Sequence, residues 1–215
     1  MEFSSRTAAI TLIGVLGTEL LCYLLRKWLE SRKQEADRPE HQVLFFPDSV
    51  PACVDAATDR FGCLDRTCKF SHDGSDNSLH ELLLAINSAQ LSLDICVFTF
   101  TSRELAKVII NLSQRGLAVR VISDKEQADV AGSQIGNLRA AGIQVRCHKT
   151  GYFMHHKFAI VDKALLINGS FNWTRQAVTG NHENILITRC SGIVRPYCQE
   201  FEKLWLQFSP QPAKE

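Results

Sequence analysis

A chain of 215 residues with 45% hydrophobic composition has room for one globular domain of ordinary size and an appendage, and excludes two fused catalytic domains. Lysine and arginine number 24 against 23 aspartates and glutamates, a net charge of +1 that excludes binding driven by bulk positive charge, so any basic groove must be local. Eight cysteines would suit a secreted disulfide scaffold, but Cys22 lies in an apolar run, Cys96 in a strand-like run, and three others cluster with a histidine at ligand-like spacing, so a reducing compartment is expected.

Residues 1–6 are a short tail, and from Thr7 to Leu25 the chain is almost wholly apolar or small. At ~1.5 Å per residue that run makes a helix of roughly 28 Å, close to the thickness of a bilayer. Glu2 precedes the run while Arg26, Lys27, Arg32 and Lys33 follow it, the reverse of a cleavable signal peptide. The positive-inside rule keeps the C-terminal bulk in the cytosol, and the expectation is an uncleaved, single-pass transmembrane anchor over residues 7–25. Glu19 is its exception: a carboxylate in hydrocarbon costs about 2.5–3.5 kcal/mol, so it is expected to be protonated or to mark a helix–helix contact. Residues 26–42, dominated by the charged stretch Trp28–Gln42 with Pro39 near its end, read as a helical extension running into a linker.

The folded domain is expected over residues 43–215, opening with a short strand, Val43–Phe46, that Pro47 and Asp48 end. A cysteine-rich insert follows at 53–72. Its pattern Cys53-x9-Cys63-x4-Cys68-x3-His72 supplies three thiolates and an imidazole, the number and type of ligand for a closed tetrahedral site, so structural zinc is the expected cofactor. The insert resembles a CCCH zinc finger with atypical first and second loops. Lys69 and Phe70 set a basic residue beside an aromatic, as in modules that stack unpaired bases.

Beyond the insert, helical and strand patterns alternate. Helices are expected at Ser78–Ala89, Ser102–Gln114 and Gln134–Ala141, with strands at Leu91–Phe100, Ala118–Ser123 and Ile143–His148. Gly116 and Gly142 sit just past helix ends, where a left-handed cap residue belongs. The last third changes to closely spaced strands at Lys157–Val161, Ala164–Ile167 and Asn184–Thr188, before a final helix over Val194–Phe208. The expected fold class is α/β, a mixed β-sheet flanked by helices.

One segment carries chemistry. His155-His156-Lys157 opens a His-x-Lys-x4-Asp pattern that closes on Asp162, and Gly169-Ser170-Phe171-Asn172 follows. In a strand, residues two apart share a face, so His155 and Lys157 can address one phosphate while His156 points away and Asp162 falls on the opposite face. A neutral imidazole can attack phosphorus, Lys157 can neutralise a non-bridging oxygen, and Ser170 and Asn172 can donate to the developing charge. Asp162 is suited to support and orient. The combined pattern resembles the signature of the phospholipase D superfamily, and the resemblance covers the chain from about Val43 to the C-terminus. It implies a phospholipase D-like fold and a metal-independent phosphodiesterase working through a phosphohistidine. It also implies that Glu183, just before a strand, holds the nucleophilic histidine in one tautomer. The chemistry needs two histidines, one as nucleophile and one as acid and base, and this chain carries one copy of the motif. A homodimer with the motif at its interface is therefore expected.

The anchored single-motif architecture with an inserted finger is similar to the mitochondrial phospholipase D branch of that superfamily. That resemblance implies the mitochondrial outer membrane, with the catalytic domain facing the cytosol, and a membrane phospholipid substrate, cardiolipin, converted to phosphatidic acid. The same branch includes the Zucchini-type nucleases of piwi-interacting RNA maturation, which implies single-stranded RNA as an alternative substrate in a germline role. For RNA, Arg146, His148 and Lys149 before the catalytic strand and Arg175 after Asn172 are the expected substrate-binding rim. The apolar loop Gly151–Met154 adjoins His155 and suits either a membrane interface or a stacked base. A catalytically silent, membrane-tethered scaffold is the remaining alternative; it would be expected to lose His155 or Lys157, and both are present.

Overall fold

The structure, a computed structural model, describes residues 19–23, 25–26, 40–59, 62–72, 74, 77–148 and 151–210. The chain divides into two units, Met1–Pro39 and Glu40–Glu215. In the first, residues 19–23 and 25–26 are helical, with Leu20, Leu21, Tyr23 and Leu25 exposed. The rest of the anchor expected over 7–25, and most of the linker over 26–42, lie outside the described residues. Among the described residues no helix is long and apolar enough to cross a membrane.

The second unit is built on one seven-stranded mixed sheet. Its strands are β1 (His41–Phe46), β2 (Ser92–Val97), β3 (Ala118–Asp124), β4 (Gln144–His148), β5 (Lys157–Val161), β6 (Leu165–Gly169) and β7 (Glu183–Thr188), in the spatial order β1-β7-β6-β5-β2-β3-β4. The helices are α1 (Val54–Thr58), α2 (Ser78–Asn87), α3 (Arg103–Gln114), α4 (Lys125–Ala128), α5 (Ile135–Ala140), α6 (Arg175–Thr179) and α7 (Ser191–Gln207). β2, β3 and β4 are parallel and joined by helical crossovers, whereas the β1–β7, β7–β6, β6–β5 and β5–β2 pairs are antiparallel. The expected change from α/β alternation to closely spaced strands is thus the switch from parallel to antiparallel pairing.

Strict alternation along the strands sorts side chains onto two faces. Leu93, Ile95, Val97, Ala159, Val161 and Ile185 join the larger core with the inner residues of α2 and α3. Cys96, Ile122, Phe158, Ile160 and Leu166 point the other way, under Val194, Phe201, Leu204 and Trp205 of α7. An ion triad also fastens α7: Arg120 on β3 makes a two-point contact with Asp94 of β2 (2.7 and 2.8 Å) and reaches Glu202 of α7 at 2.7 Å, its guanidinium 4.8 Å from the Phe201 ring centre. Hydrogen bonding to Arg120 holds the Glu202 carboxyl below its ordinary value. Asp94 is only 4% exposed, so the pair belongs to the class in which losing one partner costs about 3–5 kcal/mol.

The differences from expectation have local causes. β2 stops at Val97, short of the expected Phe100: the Phe98 N–H still donates to His156 O, one rung beyond the β2–β5 ladder, and Phe100 bridges to Trp173. β1 begins at His41 rather than Val43, paired in register with Thr188. α1, α4 and α6 are too short to display a helical period, and capping defines two of them: Asp124 accepts from Glu126 N and Gln127 N, and Thr174 accepts from Ala177 N. Gly116 and Gly142 do take the left-handed conformation, at φ 89° and 82°.

Candidate active site

Strand directions gather one end of every strand on a single edge of the sheet. The carboxyl ends of β1, β2, β3, β4 and β6 lie there with the starts of β5 and β7. The edge therefore carries His155 and Lys157, Gly169 to Asn172, and Glu183. It is the edge at which open α/β sheets bind ligands.

β5 and β6 form a hairpin joined by three residues, 162–164. Asp162 and Lys163 take left-handed φ values of 51° and 55°, and Ala164 N donates to Val161 O at 2.9 Å, as a type I′ turn requires. The Asp162 carboxylate accepts from Gln90 N (2.9 Å), Leu91 N (2.8 Å) and Ser92 N (2.8 Å), pinning the turn to the start of β2. From Phe158 opposite Asn168, continuing the register brings Lys157 opposite Gly169 at the hairpin's open end. Asp162 was expected to support and orient, and it stands at the far end of β5, five residues and roughly 16 Å from Lys157, where it fastens the hairpin and meets none of the other candidates.

At the open end, His155 is exposed and Lys157 half-buried. The Lys157 ammonium lies 3.3 Å from each ring nitrogen of His155 and donates to the His155 carbonyl at 3.0 Å. Among the described residues it has no carboxylate within salt-bridge distance. Burial pushes its pKa below the ordinary lysine value, and the Glu183 carboxylate opposes that shift. The ammonium is thus partly desolvated and available to an incoming anion. His156 packs edge-on against Phe158, centroids 5.5 Å apart, away from this cluster.

Gly169 has a steric reason for its identity: a Cβ there would stand 2.0 Å from Asn184 O, so only glycine lets β6 approach β7. Ser170 Oγ donates to Glu183 Oε2 and accepts from Asn184 N at 3.1 Å, while Asn181 Nδ2 holds the other Glu183 oxygen at 3.0 Å. Glu183 was expected on the ring of His155. Within one chain it is engaged by Ser170 and Asn181, and both ring nitrogens of His155 face Lys157. Asn172 follows on the same loop with a buried side-chain oxygen that has no hydrogen-bond partner among the described residues, a condition costing about 1–3 kcal/mol that a donor entering the site would relieve.

The expected rim residues fall in different places: His148 is buried, its ring edge-on to Phe208 at 5.0 Å. Arg146 donates to Trp205 O and to Ser209 Oγ (2.7 Å), with its guanidinium 4.0 Å from the Trp205 ring centre, so it clamps the end of α7. Lys149 lies outside the described residues. Arg175 is exposed at the start of α6, three residues beyond Asn172. The loop before His155 is divided: Met154 is buried, its N–H donating to Asp124 Oδ2 at 3.1 Å, whereas Tyr152 and Phe153 are 85% and 63% exposed. Sequence reasoning missed Asn181 and Phe98. Asn181, two residues before Glu183, had a local signal; Phe98 had none, because it meets His155 only through the β2–β5 pairing.

In the insert, backbone bonds from Cys53 N to Ser71 O and from Ser71 N to Pro51 O bring its two ends together. One ligand atom from each of Cys53, Cys63, Cys68 and His72 lies within 4.8 Å of every other. Ligands of a tetrahedral zinc ion are separated by roughly 3.3–3.8 Å, so this donor set fits the ion after a small contraction.

Residues 82–205 match a family model described as cardiolipin synthase, PLD-like domain. A human protein named mitochondrial cardiolipin hydrolase is 44% identical over 97% of this chain and 83% of its own length. Proteins of the same name are 46% identical in Chlamydomonas reinhardtii, over 78% of this chain and 74% of theirs, and 29% identical in Drosophila melanogaster, over 94% and 89%. Among solved structures, Nuc, a phospholipase D family member from Salmonella typhimurium, aligns with a TM-score of 0.61 at 22% identity, covering 82% of this chain and 100% of its own. NucT from Helicobacter pylori aligns at 0.60 and 24% identity, covering 78% and 96%. These two likenesses carry the fold.

If Asp162 fastens the hairpin, Asp162→Ala should lower the melting temperature while turnover per folded molecule stays within about threefold of wild type. A fall of about a hundredfold at unchanged melting temperature would return Asp162 to the chemistry.

Proposed function

The chain belongs to the phospholipase D superfamily, in the branch of the mitochondrial cardiolipin hydrolases, and it is a phosphodiesterase of phospholipase D type; we propose that it cleaves its substrate through a covalent phosphohistidine on His155, in a site completed by a second copy of the chain. The observation that carries this reading is the Lys157 ammonium, beside the His155 ring and, among the described residues, without a carboxylate partner in salt-bridge range, on the edge that also holds Ser170 and Asn172.

The steps follow from that arrangement. A ring nitrogen of His155 carries the lone pair that attacks phosphorus, and the P–O bond to the leaving alcohol breaks. The partner's His155 gives that alcohol its proton, then takes one from water as the water attacks the phosphohistidine and frees His155. Lys157 balances the charge gathering on the non-bridging oxygens, and the Ser170 hydroxyl and Asn172 amide donate to them. Charge is met by side chains throughout, so the reaction as written asks for no catalytic metal. Because Glu183 is engaged within its own chain by Ser170 and Asn181, the acceptor that fixes the tautomer of His155 would come from the second copy.

Cardiolipin, hydrolysed to phosphatidic acid, is the substrate this reading favours. The names of the relatives support it, and so do Tyr152 and Phe153, which expose aromatic surface beside His155 where an acyl chain or headgroup region would lie. The same names, with the apolar run 7–25 and the basic residues after it, support a single-pass anchor in the mitochondrial outer membrane and a cytosolic catalytic domain. Single-stranded RNA loses support from the engagement of Arg146 by α7 and keeps it from the exposed Arg175. Cys53, Cys63, Cys68 and His72 would hold a structural zinc ion, which when bound cross-links the ends of the insert.

The full chain, purified in detergent and treated with EDTA, should release phosphatidic acid from cardiolipin vesicles and do so more than about a hundredfold faster than His155→Asn. Cleavage of end-labelled single-stranded RNA to 5′-phosphate ends, with cardiolipin untouched, would replace the lipid by RNA; activity of neither kind from a folded dimer would contradict the reading. Cys68→Ala should release about one zinc ion per chain and lower the melting temperature; unchanged metal content would refute the zinc site.

A further inference from the structure

Phe98, the first residue beyond β2, is placed where three elements of the site converge. Its N–H donates to His156 O at 2.9 Å, which fixes its backbone against the segment entering β5. Its ring lies 4.6 Å from the His155 ring, centre to centre, at an interplanar angle of 57°. The Lys157 ammonium sits 5.3 Å from the centre of the same ring, and Phe153 meets it edge-on at 5.4 Å. One aromatic side chain thus touches the histidine, the lysine and the exposed loop that precedes them.

Such a position matters because neither His155 nor Lys157 is otherwise well held. Their side chains meet each other and the His155 carbonyl, and among the described residues no carboxylate orients either one. A free lysine side chain has many rotamers, so seating the ammonium before substrate arrives removes an entropic cost of binding. The face of an aromatic ring attracts a cation without neutralising it, unlike a carboxylate, which would compete with the phosphate for the same ammonium.

We propose that Phe98 is a positioning residue for this reaction: its ring face seats the Lys157 ammonium and its flank seats the His155 imidazole, so that both meet one phosphate. The inference rests on the reading of His155 and Lys157 given above. It does not depend on whether the phosphodiester is lipid or nucleic acid. Phe153, which meets Phe98 edge-on and is 63% exposed, borders the seat.

The ring's electrostatics can be changed without changing its shape. Pentafluorophenylalanine at position 98 reverses the quadrupole, whereas Phe98→Tyr keeps it; both fill the space of phenylalanine, so folding is preserved where Phe98→Leu risks a cavity. Two readouts separate a seat from mere packing. The first is titration of the Lys157 ammonium by nuclear magnetic resonance, which needs no activity. The titratable groups that face it are His155 and His156 on its own segment and Glu183 on β7, all unchanged by the substitution. Reversing the ring's field should move its midpoint to lower pH by about half a unit or more, with Phe98→Tyr near wild type. The second is hydrolysis of bis(p-nitrophenyl) phosphate by the full chain in detergent: kcat should fall roughly tenfold with the fluorinated ring, KM changing less, and the alkaline limb should shift in the same direction. An unmoved Lys157 midpoint with unchanged kcat would overturn the proposal. If the wild-type protein is no more active than His155→Asn, the functional reading fails, and the titration alone then decides whether Phe98 seats the lysine.

Discussion

The site depends on the length of one β-hairpin. His155 to Asn172 is a single out-and-back excursion: β5 runs away from the carboxyl edge, turns at Asp162 and Lys163, and β6 returns. The spacing from histidine to aspartate sets how far the chain travels, and the spacing from aspartate to Gly169 brings it back to the same level. The turn is held by three amides of the segment entering β2, so the hairpin cannot slip along its neighbour without giving up those bonds. A slip of one residue would send Lys157 to the opposite face of the sheet. The motif is thus a ruler as well as a set of polar groups, and Asp162 belongs to it at the end of the hairpin opposite Lys157.

On the proposed two-chain mechanism, the same hairpin presents half of a catalytic centre. Its open end offers one imidazole, one ammonium, a serine hydroxyl and an asparagine amide along the sheet edge. Double displacement at phosphorus calls for a nucleophile and a separate acid and base, and one histidine cannot do both in a single step. The exposure of His155 and the buried oxygen of Asn172, unpartnered among the described residues, suit an edge that awaits further groups. On this account the second copy completes the chemistry.

Much of this was legible in the residues. The periods of α2, α3 and α7 and the strands from β2 to β7 follow from alternation and glycine punctuation, and the motif placed His155, Lys157, Ser170 and Asn172 together before their strands were paired. Contacts across the sheet were not legible. Arg146 looks free beside the catalytic strand in the sequence, yet Trp205 and Ser209, some sixty residues later, engage it. Glu183 was read as a partner of the histidine; within one chain its carboxylate is engaged by Ser170 and Asn181, contacts that the sequence does not display. Phe98 carries no motif, and its position under Lys157 arises only when β5 inserts beside β2. Short helices such as α6 escaped because a few residues display no period, and their cap residues look like ordinary loop polar groups.

The claim on which the account turns is that one catalytic centre is shared by two chains, each giving His155. The most direct test is a purified heterodimer, isolated with two affinity tags, in which one chain is wild type and the other carries His155→Asn. The account predicts that this heterodimer is nearly inactive, because the lone histidine lacks its acid and base; retention of about half the wild-type turnover would mean that each chain works by itself and would contradict it.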